Sequence, residues 1–117
     1  MSQADLQISR GSSATTTASA PEPGLTRRIL ASNPKMMVLE HRMQGDWVGT
    51  RHSHPHEQAV YIISGRLKVC VGEEAFEVAP GDSFIVPGGV EHEAAALEPS
   101  VVLDVFTPTR EDYLDTK

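Results

Sequence analysis

The chain of 117 residues predicts an all-β fold, a sandwich or barrel, from three observations. Short apolar runs rich in β-branched and aromatic residues recur along it, turns built on Gly and Pro separate them at close intervals, and no stretch sustains a helical period. A chain of this length has room for one domain with one modest core, which excludes a pair of catalytic domains.

Residues 1–24 are rich in Ser, Thr, Ala, Gly and Pro and carry no periodic apolar pattern, so they are expected to form a disordered N-terminal arm ahead of a single domain over residues 25–117. Folded structure begins near Leu25. Met36-Met37-Val38-Leu39 follows the Asn33-Pro34 turn and predicts a strand over 35–43, a short helix being the competing assignment. Ala59-Val60-Tyr61-Ile62-Ile63 is a strand closed by Ser64-Gly65. Residues 66–71 alternate, Gly72-Glu73-Glu74 turns, and 75–78 run back as the second half of a hairpin. Ala79-Pro80-Gly81-Asp82 is a turn, 83–86 a short strand, and Pro87-Gly88-Gly89 a turn before Val90-Glu91-His92. Residues 101–106 form the last strand, which Pro108 closes, and helix is expected only over 110–114.

Sixteen acidic and ten basic residues leave a formal charge of -6 and a pI near 5.2. That is opposite to the basic footprint that phosphate backbones require, so nucleic acid is not an expected partner. No apolar run is long enough to span a bilayer and the N-terminus lacks a charged-then-apolar signal pattern, so the expectation is a soluble cytoplasmic protein with no membrane partner. Cys70, the only cysteine, lies in an apolar run and reads as a buried, inert thiol; no disulfide can form within the chain.

Chemistry concentrates in Arg51-His52-Ser53-His54-Pro55-His56-Glu57-Gln58, which holds three of the five histidines. Neutral imidazole is a common ligand for transition metals, and imidazoles at i and i+2 of an extended strand leave on one face. By residue type alone an exposed polar loop is the alternative.

Spacing decides between them. His52-Ser53-His54, three residues, Gln58, six residues and Gly65 form one gapped motif; Gly81, five residues, Pro87-Gly88-Gly89, two residues and His92 form a second. Their order and separation by one hairpin resemble the two motifs of a small single-domain cupin, a jelly-roll β-barrel, over about residues 25–114. The resemblance departs at Asp46 and Ala96, where the family often has Gly and Asn; neither position supplies a ligand.

The resemblance implies metal ligation by His52, His54, Gln58 and His92, four donors with open positions around one divalent ion (zinc, nickel, manganese, iron or copper). His56 is then assigned to structural support. Glu57 could replace Gln58 only after a one-residue slip that exchanges the inside and outside of the barrel. A neutral amide among three neutral imidazoles leaves the ion's charge uncompensated, which favours an anionic substrate.

Together with the histidine motif, Leu103-Asp104-Val105-Phe106-Thr107-Pro108-Thr109-Arg110 resembles the small cupins of pectin and alginate breakdown that ketonise unsaturated monouronates. This implies functional roles for Asp104 in proton transfer, Arg110 on the uronate carboxylate and Phe106 against the sugar. By residue type alone Phe106 is a core residue, Arg110 a solvated charge and Asp104 a water-facing position on an alternating strand. Trp47 and Tyr61 read as core residues near the cluster. The family also implies a homodimer. Two other functions remain open to such a barrel, a non-catalytic carboxylate-binding or sensing cupin and an iron-dependent oxygenase.

Overall fold

A computed structural model describes residues 7–114. Nine strands occur among them: β1 Ser19–Glu22, β2 Leu25–Asn33, β3 Met36–Met43, β4 Glu57–Ser64, β5 Leu67–Val71, β6 Glu74–Val78, β7 Ser83–Val86, β8 His92–Ala96 and β9 Ser100–Thr107. One short helix follows, α1 Glu111–Leu114. A six-stranded sheet in the order β1-β2-β3-β9-β4-β7 faces a three-stranded sheet in the order β6-β5-β8. All pairings are antiparallel. This is the expected jelly-roll barrel.

Alternation sets the inner face of the large sheet. On β9, burial alternates residue by residue, with Ser100, Val102, Asp104 and Phe106 inside. Register carries the inner face across the neighbours, because directly paired residues share a side of the sheet. Phe106 pairs with Met37 and Gln58, Asp104 with Leu39 and Val60, and Val102 with His41 and Ile62. The larger apolar cluster draws on both sheets and includes Leu25, Met43, Val60, Ile62, Leu67, Val69, Val78, Ala96 and Val102; a smaller one is Met37, Leu39 and Phe106, with Ile29 and Tyr113 packed on it.

The structure differs from expectation at three strands and two side chains. Ser19–Glu22, assigned to the disordered arm, pairs antiparallel with β2, and Ser9 Oγ accepts the Ser32 N–H at 3.1 Å, so contacts with the sheet begin well before Leu25. Its sequence shows no apolar period because an edge strand contributes backbone hydrogen bonds and hides few side chains. Residues 1–6 of the expected arm lie outside the described residues. β2 and β8 were not resolved as strands from sequence: β2 carries charged side chains on both faces, and the His-Glu-Ala-Ala-Ala run of β8 lacks β-branched residues. Tyr61, read as core, points outward and is 48% exposed, since Val60 and Ile62 take the inner positions. Cys70 is half-buried rather than buried, with its thiol 3.4 Å from the Gly72 carbonyl.

Candidate metal centre and active site

The two motifs meet through backbone hydrogen bonds. His52 and His92 exchange N–H···O bonds of 3.0 and 2.8 Å, and Gly89 N–H donates to the His54 carbonyl at 2.7 Å. Gly88 lets the second loop approach, because a Cβ there would run into the Pro55 carbonyl. Glu57 locks the same contact by accepting the Gly88 N–H at 2.7 Å. Its carboxylate is thus an outward clamp, while Gln58 occupies the inner face opposite Phe106 and Val86, and the slipped register does not occur.

At this junction the metal-capable atoms of His52, His54 and His92 lie within 4.8 Å of one another, the one such group among the described residues. Each ring is anchored through Nδ1 to a backbone carbonyl: His52 to Thr50 at 2.8 Å, His54 to His56 at 3.1 Å and His92 to Val90 at 3.0 Å. A carbonyl can only accept, so Nδ1 carries the proton and Nε2 keeps its lone pair. Burial lowers the pKa of His54 and His92, backbone hydrogen bonds only partly opposing it for His92, which holds both rings neutral.

Gln58 is oriented by the same logic. Its amide nitrogen donates to Asp104 Oδ1 at 2.8 Å, which turns Oε1 toward His54 Nε2, 3.0 Å away. With the His54 proton on Nδ1, two lone pairs face each other at hydrogen-bond distance. That arrangement is repulsive alone and favourable around a cation. The donor set therefore fits a divalent transition ion at His52, His54, His92 and Gln58. His56 stands apart from the group; its carbonyl holds His54 and its ring meets Phe106 edge-on.

A cavity of about 320 Å³ opens beside this cluster, lined by His52, Gln58, His92, Asp104, Phe106 and Arg110 among others. That is the lower end of the range for small-ligand sites. Asp104 is 3% exposed and does not face bulk water. Phe106 is both things the sequence allowed, a core residue with 1% exposure and a cavity wall packed on His54 at 5.4 Å between ring centroids.

Arg110 is not a solvated charge. It is 8% exposed, its Nε and Nη2 donate to the two Asp112 oxygens at 3.1 and 2.9 Å, and its guanidinium lies 4.0 Å from the Tyr113 ring centroid. Those hydrogen bonds hold Asp112 below the usual carboxylate range. Its Nη1 is buried with no partner. A guanidinium nitrogen left in that state beside a cavity is a vacant donor for an anion.

Among the cavity residues that the sequence did not single out are Arg27, His41 and Tyr113. His41 had a usable signal, since Met37, Leu39, His41 and Met43 share one face of β3 and a histidine on an apolar stripe asks for a partner. Arg27, between Leu25 and Ile29, offered the same signal. Trp47 packs against the core and also lines the cavity, its indole N–H donating to Glu22 at 2.6 Å.

Among known proteins, the cupin-domain family profile matches residues 38–106. The chain is 34% identical over 94 residues to the pectin degradation protein KdgF of Dickeya dadantii, covering 78% of this chain and 84% of that protein. Two solved structures share the fold closely. KdgF from a Halomonas species superposes with a TM-score of 0.85 at 35% identity, over 89% of this chain and 98% of that one. An RmlC-like cupin from Shewanella frigidimarina gives 0.86 at 30% identity, over 89% and 94%. A jelly-roll barrel with both histidine motifs paired at its mouth, matched by the family profile and by these relatives, makes the chain a member of the cupin family.

Proposed function

We propose that this cupin is a metal-dependent isomerase that opens and ketonises unsaturated monouronates during polyuronate breakdown. The observation that carries the reading is the position of Asp104: a buried carboxylate in the cavity wall, hydrogen-bonded to Gln58 on one side, with the unpartnered Arg110 Nη1 in the same cavity. The similarity to pectin degradation proteins supports the substrate class.

The reaction moves one proton and changes no oxidation state. The anomeric hydroxyl loses its proton, the bond between anomeric carbon and ring oxygen breaks, and the ring oxygen leaves as an enolate oxygen. Ketonisation then adds a proton to the far carbon of the former double bond. Asp104 takes the hydroxyl proton and returns it to that carbon, so the carboxylate is regenerated. Arg110 Nη1 binds the uronate carboxylate, and Phe106 packs against the apolar face of the sugar. His52, His54, Gln58 and His92 would hold a divalent ion, which would supply positive charge where the enolate oxygen develops.

The test is the ultraviolet absorbance of the conjugated double bond. Metal-loaded protein should remove it faster than the spontaneous rate and without consuming oxygen. No acceleration contradicts the reading and leaves a binding role, whereas coupled oxygen uptake favours an oxygenase.

A further inference from the structure

The inner face of the large sheet carries a polar row whose far end has no part in the chemistry above. Arg27, His41, Asp104 and Gln58 sit on the four adjacent strands β2, β3, β9 and β4. Arg27 Nε–H donates to His41 Nε2 at 3.0 Å, His41 Nδ1 meets Asp104 Oδ2 at 2.6 Å, and Asp104 Oδ1 accepts from Gln58 at 2.8 Å. The row separates the two apolar clusters of the core, with Leu25, Met43, Val60 and Val102 on one side and Met37, Leu39 and Phe106 on the other.

Donor and acceptor chemistry fixes its direction. A guanidinium has no acceptor, so Arg27 forces the lone pair of His41 onto Nε2 and the proton onto Nδ1. His41 then serves only as a donor to Asp104 Oδ2. Arg27 is itself held in place, 9% exposed and stacked 3.5 Å from the Tyr113 ring centroid. Both Asp104 oxygens thus have a fixed donor, which leaves the carboxylate no freedom to rotate. A row of buried polar groups between apolar clusters is weak evidence for stability, because well-packed apolar residues often do as well.

We propose that His41 and Arg27 are positioning residues for the reaction: His41 aims the Asp104 carboxylate, and Arg27 holds His41 in the tautomer that can do so. This rests on the proton-transfer role of Asp104 proposed above. Its specific claim is that the Nδ1 arm of His41 acts on the reaction and the Nε2 arm acts on His41.

The two arms can be separated by substitution. Asn places an amide donor near the position of His Nδ1, and Gln places an acceptor near Nε2. His41→Phe should lower kcat on the order of 10- to 100-fold, the range for partners that orient functional groups, with KM and bound metal little changed. H41N should recover most of the loss and H41Q should not. A kcat for H41F equal to wild type, or rescue by Gln instead of Asn, overturns the proposal. Long-range ¹⁵N correlation spectra of the metal-free protein read the tautomer without substrate. His41 should be protonated on Nδ1 and bare on Nε2 in wild type, with protons appearing on Nε2 once Arg27→Met removes the donor that occupies its lone pair; a wild-type Nε2–H form overturns it too. A wild type inactive on unsaturated uronates would overturn the functional reading and any catalytic role for His41, while the spectra would still decide whether Arg27 sets the tautomer.

Discussion

Two halves of one barrel interior differ by a two-residue step on each of four strands. Leu25, Met43, Val102 and Val60 belong to the larger apolar cluster, and the next inward residues on the same strands are Arg27, His41, Asp104 and Gln58. Backbone geometry is shared; only side-chain chemistry changes. The apolar half needs bulk and tolerates imprecise directions, because burial is non-directional. The polar half needs every donor matched to an acceptor, because an unpaired buried polar group costs free energy. Stability and chemistry are therefore assigned to different positions of the same strands.

The largest expected effect breaks the polar half. Asp104→Ala should lower kcat by about 10²- to 10⁴-fold, the usual worth of a positioned acid-base group, in a steady-state assay on an unsaturated monouronate. The three histidines should still bind metal, measured by elemental analysis; loss of metal would mean that Gln58, once unanchored, leaves the site. In the apolar half, Ile62→Ala removes a side chain that is 1% exposed and should cost about 2–5 kcal/mol of unfolding free energy in a denaturant titration. Because Ile62 also lines the apolar wall of the cavity, turnover per folded molecule should fall somewhat, but far less than in Asp104→Ala, which is the sharpest contrast between the two halves.

A smaller effect is expected at the edge of the cavity. Arg110→Lys keeps the charge but loses the planar fork, and should raise KM about 10-fold with less change in kcat, as expected for a group that binds the carboxylate equally before and during reaction. The smallest effect is on pH dependence. Folding lowers the pKa of His54 and His92 below their ordinary 6.5, so the unfolded chain binds more protons as pH falls through that value. Stability of the metal-free protein should therefore decline below pH 6.5 and be retained above it. Thermal unfolding after chelation, followed from about pH 7 to about pH 5, checks the sign.

What was legible in the sequence follows the same division. His52, His54, Gln58 and His92 stand in fixed-spacing motifs because two loops must meet through backbone bonds of His52 with His92 and of Gly89 with His54, and such geometry constrains spacing. Strands β3, β4, β5, β6, β7 and β9 were legible from alternation and turns. Arg27 and His41 were not, because their partners come from strands distant in sequence: His41 and Asp104 are 63 positions apart. Polar residues on an otherwise apolar face were the only local trace. β1 was hidden for another reason, since a strand that contributes mainly backbone hydrogen bonds leaves no side-chain period to read.

The central claim is that Asp104, held within this polar half, delivers the proton inside the cavity. It is tested most directly by turnover in deuterium oxide, with the product examined by NMR. Delivery by Asp104 predicts one deuterium at the carbon next to the new ketone, in a single configuration. An equal mixture of both configurations would mean that the opened enol leaves before it is protonated, and would contradict the account.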